Sequence, residues 1–151
     1  MNFLKNNSLK PEMEILLVAL IAFAFCISCS VLKKAKTQAI VNGAVSVANA
    51  NYNATRFTTK KTWSNIELTG EFIVQGIQGG DIRVLVMTMM DFINYSNGRK
   101  ATFTYDSGQV ITAKINLQLP SQDEDYMLVF DNTFSAKTDK QVNAVINLKY
   151  K

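Results

Sequence analysis

The hydrophobic and polar positions of this chain follow two different patterns. Residues 15–32 read ILLVALIAFAFCISCSVL, with no charge and no proline. A helix of that composition has no polar face to offer water. It would span roughly 27 Å, close to the hydrocarbon thickness of a bilayer. Further on, the period changes to two. In residues 108–119, Ile111, Ala113, Ile115, Leu117 and Leu119 share one face, and Thr112, Lys114, Asn116 and Gln118 share the other. That alternation predicts a half-buried antiparallel strand, ended by Pro120. Val142, Ala144, Ile146, Leu148 and Tyr150 alternate in the same way, as do Ile66, Leu68, Phe72 and Val74.

Residues 81–88 and 101–105 read as further strands, and residues 44–49 and 53–60 as strands with weaker patterns. Residues 126–131 are apolar on both faces, as a central strand requires. Residues 89–93 can form one helical turn before Asn97-Gly98 breaks it. The fold class is therefore mainly β, an antiparallel sandwich of roughly eight strands preceded by one N-terminal hydrophobic helix. The chain divides into a polar N-terminus (1–14), a transmembrane or signal segment (15–32), a linker (33–42) and the sandwich domain (43–151). Residues 119–150 are expected to form a hairpin at the centre of the sandwich, with Leu128, Phe130 and Ile146 pointing inward.

Charge changes this picture little. The 151 residues carry a formal net charge of +4. Residues 1–36 hold five lysines against two glutamates, so most of the excess flanks the apolar segment. The sandwich domain is close to neutral and lacks the basic footprint of a nucleic-acid binder. Composition excludes more. With no histidine in the chain, Ser-His-Asp and Cys-His catalysis and imidazole zinc sites are ruled out. Both cysteines, Cys26 and Cys29, lie in the apolar segment, which leaves the sandwich without a thiol nucleophile or a disulfide. No catalytic residue, cofactor site or metal site is assigned.

The apolar segment has three readings: an uncleaved anchor, a lipoprotein signal, or a cleaved secretory signal. The lipoprotein reading makes Cys29 the lipidation site, because Ile27-Ser28-Cys29-Ser30 resembles a bacterial lipobox. Cys26 stands where that pattern prefers leucine. Lysines flank the segment on both sides, at 5 and 10 and at 33, 34 and 36, so the positive-inside count is nearly tied. The position of the segment near the chain start favours an extracytoplasmic domain.

Several clusters could carry chemistry. Asp123, Glu124 and Asp125, with Asp131, offer hard oxygens to calcium, although a solvated turn needs the same residues. A carboxylate-pair hydrolase could draw on Asp81, Asp91, Asp106 and Asp131. Gly76-Ile77-Gln78-Gly79-Gly80 lacks the lysine of a phosphate loop and reads as a turn. Asp131-Asn132 is expected to organise the turn after its strand. Tyr52, Phe57 and Trp63 could make an exposed aromatic patch, with core burial as the alternative. Asn53-Ala54-Thr55 and Asn94-Tyr95-Ser96 fit the glycosylation sequon.

The last third has a more specific pattern. Leu119-Pro120 and an acidic turn precede Tyr126-Met-Leu-Val-Phe-Asp-Asn-Thr-Phe-Ser135. Lys140-Gln-Val142 and Ile146-Asn-Leu-Lys-Tyr150 follow, and Gly79-Gly80-Asp81-Ile82 with Val84 and Val86 lies upstream. Over residues 66–150 this resembles the GOLD (emp24/p24-type) β-sandwich. The resemblance implies a protein-interaction or lipid-interaction module and no enzymatic activity. The chain departs from that family in its N-terminal apolar segment, the lack of a membrane helix after the sandwich, and the lack of a cysteine pair within it. Cargo-receptor function is therefore not carried over. The expected function is a non-catalytic, membrane-tethered, extracytoplasmic sandwich that binds an unknown protein partner. The alternatives are a carboxylate-only hydrolase and a ligand-binding envelope lipoprotein.

Overall fold

The computed structural model describes residues 34–76 and 80–151. The expectations for residues 15–32, with Cys26 and Cys29, lie outside the described residues, as does the middle of the glycine turn at 77–79. Among the described residues, no helix is long and apolar enough to cross a membrane.

Eight strands and one helix follow one another: β1 (Lys36–Val47), β2 (Tyr52–Thr59), β3 (Ile66–Gln75), β4 (Ile82–Thr88), α1 (Met89–Ser96), β5 (Tyr105–Val110), β6 (Thr112–Leu119), β7 (Glu124–Asp131) and β8 (Lys140–Tyr150). The first sheet has the order β1-β8-β3-β6 and the second β2-β7-β4-β5. Every pairing is antiparallel. The facing sides of the sheets bury alternate residues: Leu68, Phe72, Ile146 and Leu148 from the first, and Val84, Val86, Leu128 and Phe130 from the second. Phe72 and Phe130 meet edge to face across the core, 6.3 Å apart.

The second sheet is buried on its other side as well. Leu85, Met87, Met127 and Val129 lie beneath a layer that includes Tyr52, Met89, Phe92, Tyr95 and Phe103. This is why residues 126–130 are apolar on both faces. The layer is held by α1, whose start is fixed by Thr88. The Thr88 hydroxyl accepts from the Asp91 N–H at 3.2 Å and donates to Asp91 Oδ2 at 2.9 Å, a reciprocal cap that satisfies one of the free N–H groups of the first turn. The helix ends at Asn97-Gly98, where Gly98 takes φ +66°.

Four expectations are corrected. The short strand expected over residues 101–105 lies further along, as β5 at Tyr105–Val110. The strand expected over residues 108–119 is two strands in different sheets, which break at Ile111. There the chain crosses from one sheet to the other, so Ile111 is 58% exposed and faces away from the core. The first strand begins at Lys36, inside the stretch read as linker, because Lys36 to Val47 pair along the length of β8. As an edge strand with most of its early side chains exposed, this part shows little alternation. Finally, β7 and β8 are not a hairpin. Each is an inner strand of its own sheet, and the connection between them passes from one sheet to the other. Leu128, Phe130 and Ile146 are all fully buried, as expected.

Candidate functional site

The end of β7 is the most heavily bonded polar region of the described chain. Successive strand residues point to opposite faces, so Asp131 and Asn132 serve different layers. Both are buried, at 2% and 0% exposure. Asn132 Nδ2 donates to the Ala48 carbonyl at 3.1 Å and the Thr138 carbonyl at 2.9 Å, while its backbone N–H donates to the Asn51 carbonyl at 2.9 Å. The Asn49 N–H donates to Asp139 Oδ1 at 2.8 Å, and the Ala50 N–H to the Ser135 carbonyl at 2.7 Å. One asparagine thus ties the β1–β2 turn to the β7–β8 loop. Its Oδ1 is buried with no hydrogen-bond partner.

Asp131 turns the other way. Its Oδ1 accepts from the Thr133 N–H at 2.8 Å, and its charge acts on the Tyr95 phenol that α1 brings over this end of the sheet. Arg83, its register neighbour on β4, is gripped by Asp106 from β5 through two bonds, Nε–Oδ1 at 3.0 Å and Nη2–Oδ2 at 2.6 Å. The guanidinium lies 5.2 Å from the Phe103 ring. Bonding to Arg83 holds the Asp106 carboxyl below its ordinary pKa. Burial, then the charge of Asp131, raises the Tyr95 phenol to about 12. A phenol moved that far from neutrality is a poor proton donor or acceptor at physiological pH, so the cluster is suited to clasp α1 onto the sheet.

This has a measurable consequence. The raised Tyr95 pKa stabilises the folded state fully below the unfolded value near 10, and that contribution is lost as pH rises through about 12. Ultraviolet titration is expected to show a phenolate step near pH 12 that Tyr95→Phe removes. If all five tyrosines ionise near their free value, the clasp is wrong.

The other expected site residues are dispersed. Asp125 bonds Arg56 at 2.5 Å and Thr58 at 2.6 Å, and Asp123 accepts from the Lys61 N–H at 3.2 Å. Their hollow of about 310 Å³ also includes Glu124 and Lys60, and Asp131 lies at the opposite end of β7. Asp91 is taken up by Thr88 and by the Thr102 N–H at 2.9 Å. Asp81 precedes β4 and is half-buried. Among the described residues, no group of three acids or thiols is placed to hold a metal. The three aromatics also separate. Phe57 is in the main core, stacked on Tyr126, and Tyr52 packs on Phe92 and Tyr95. Trp63 stacks on Tyr150 with centroids 3.7 Å apart. Of the sequon residues, Asn53 is exposed and Asn94 half-buried.

Sequence reasoning missed Arg83 and Tyr95. The available signal was the apolar character of Leu85, Met87, Met127 and Val129 on the outer side of two strands, which demands a cover and therefore a polar margin to that cover.

The two sheets differ in what covers them. Tyr95 and its neighbours cover part of the second sheet's outer side, and Arg56 and Thr58 of β2 stay exposed beyond them. The first sheet leaves its outer side exposed, with Glu71, Asn143 and Lys114 around Ile73 (48% exposed) and Val145 (44%). A hollow of about 240 Å³ lies between these last two residues, Thr112 and Asn143. Fold and site together define an antiparallel two-sheet β-sandwich with a helix over one sheet. No protein-family model matches the chain, and no curated protein matches it.

Proposed function

We propose that this protein is a non-catalytic, membrane-tethered interaction module whose sandwich lies outside the cytoplasm and offers the open face of its first sheet to a protein partner. The observation that carries the reading is the asymmetry of the two sheets. The second carries α1 over its central strands, while the first, among the described residues, has no helix over it and exposes Ile73 and Val145 within a polar surround. A small apolar centre with a polar rim is the usual anatomy of a transient interface. The bonding of Asp91, Asp106, Asp125 and Asp131 to neighbours within the fold supports a non-catalytic reading, because a carboxylate-pair mechanism needs two acids converging on one substrate. The GOLD-like reading rests on the sequence resemblance centred on residues 126–135. The tether rests on the apolar segment at 15–32, through either the helix itself or a lipid on Cys29.

Photo-crosslinking in native membranes tests the partner face. A photoreactive residue at Val145 or Ile73 is expected to give one discrete adduct with a different protein, and one at Lys60 none. Equal labelling at all three positions, or no adduct at either face position, would overturn the reading.

A further inference from the structure

Among the described residues, four strands lie at the edges of the two sheets: β1 and β6 in the first, β2 and β5 in the second. An open edge is a template for another strand unless charge, proline, a bulge or a covering element blunts it. β2 carries Arg56, β5 carries Asp106 and β6 carries Lys114, each inside the strand. β1 differs. It is twelve residues long, its one charge is its first residue, Lys36, and residues 37–47 contain neither charge nor proline. A bulge between Ala39 and Val41 interrupts its start, and residues 41–47 then hold an unbroken register with β8. Val41 and Val45 pack on the core yet stay half-buried. On the neighbouring strand, Val142, Ala144 and Ile146 are completely covered.

We propose that the free edge of β1 pairs with β1 of a second copy of the chain, antiparallel about a two-fold axis at Gly43. This register sets Val41 opposite the partner's Val45, and Val45 opposite the partner's Val41, so both half-buried valines gain a β-branched cross-strand neighbour. Gly43 at the axis brings no side chain, and the space beside it is open. The Ser46 carbonyl accepts from Asn53 Nδ2 at 3.4 Å and so points away from β8. Alternation along the strand then aims the N–H and C=O of Asn42 and Ala44 outward, where each meets the other residue of the partner as a hydrogen-bonded pair. Lys36 falls beyond the paired stretch, so like charges do not meet. A second copy fits better than a foreign strand because the same surface complements itself, which a two-fold interface requires. The inference concerns the edge of the sheet and stands apart from the partner face around Val145.

Sedimentation equilibrium of the full chain in detergent micelles tests it. The wild type is expected to be a dimer. Asn42→Lys with Ala44→Lys gathers four lysines at the junction and is expected to weaken the dimer at least tenfold. Asn42→Lys with Ala44→Glu places each lysine opposite a glutamate and is expected to restore it. Both positions are exposed, so circular dichroism should show the same fold in all three proteins. Cross-linking gives a second readout that adds no charge. In a background with Cys26→Ser and Cys29→Ser, a mixture of Asn42→Cys and Ala44→Cys chains should form a disulfide-linked dimer faster than either chain alone. Three results would overturn the proposal: a monomeric wild type, a dimer indifferent to the double lysine change, or a failure of the lysine-glutamate pair to restore association.

Discussion

Gly70→Ala is expected to destabilise the sandwich by about 3 kcal/mol or more, at or above the upper end of what overpacking usually costs. Gly70 sits in the middle of β3, between Ile115 of β6 and Ile146 of β8. A methyl group there would overlap the Val145 carbonyl oxygen and come within 2.7 Å of Ile146 Cα. Both are backbone atoms of a paired inner strand, so relief requires β3 and β8 to separate where they are hydrogen-bonded. Gly98 is a useful contrast. It has φ +66° with open space around it, so Gly98→Ala meets only the left-handed backbone cost, about 1–2 kcal/mol. Chemical denaturation of the two variants should rank them in that order. A Gly70→Ala protein as stable as the parent would mean that β3 and β8 do not approach as closely as described.

Phe130→Ala is expected to cost about 3–5 kcal/mol, the range for truncating a buried phenylalanine. Its side chain is fully buried and bridges the two sheets against Phe72. The loss therefore weakens the contact that holds the layers together and leaves a cavity rigid strands cannot readily close. In a domain whose total stability is of the order of 5–15 kcal/mol, the melting temperature should fall by roughly 10 °C or more. Ile73→Ala is a control, since Ile73 is 48% exposed on the outer side of the same sandwich, and it should change melting far less. Similar melting of Phe130→Ala and the parent would displace Phe130 from the core.

Much of this architecture is legible in the amino-acid order alone. Alternation in residues 66–75 and 142–150 marks two strands and their buried faces, since a period of two is a local property of extended backbone. The doubly apolar run at 126–130 identifies an inner strand, and Asn97-Gly98 marks the end of the helical segment that starts at residue 89. The absence of histidine, and of cysteine from the sandwich, bounds its chemistry without any coordinates. The tertiary structure decided what depends on residues far apart in sequence. Ile111 fits the alternation of its neighbours, yet it is turned outward because the chain changes sheets there, and no local signal distinguishes a crossing from a continuous strand. Residues 36–42 became strand only because β8 supplies a backbone partner for them. Arg83, Asp106, Tyr95 and Asp131 come from four separate elements, and only the strand order β7-β4-β5 with α1 laid across it brings them together. Local pattern reports which face of a segment is buried. Which segment covers it is set by pairing and packing between distant parts of the chain.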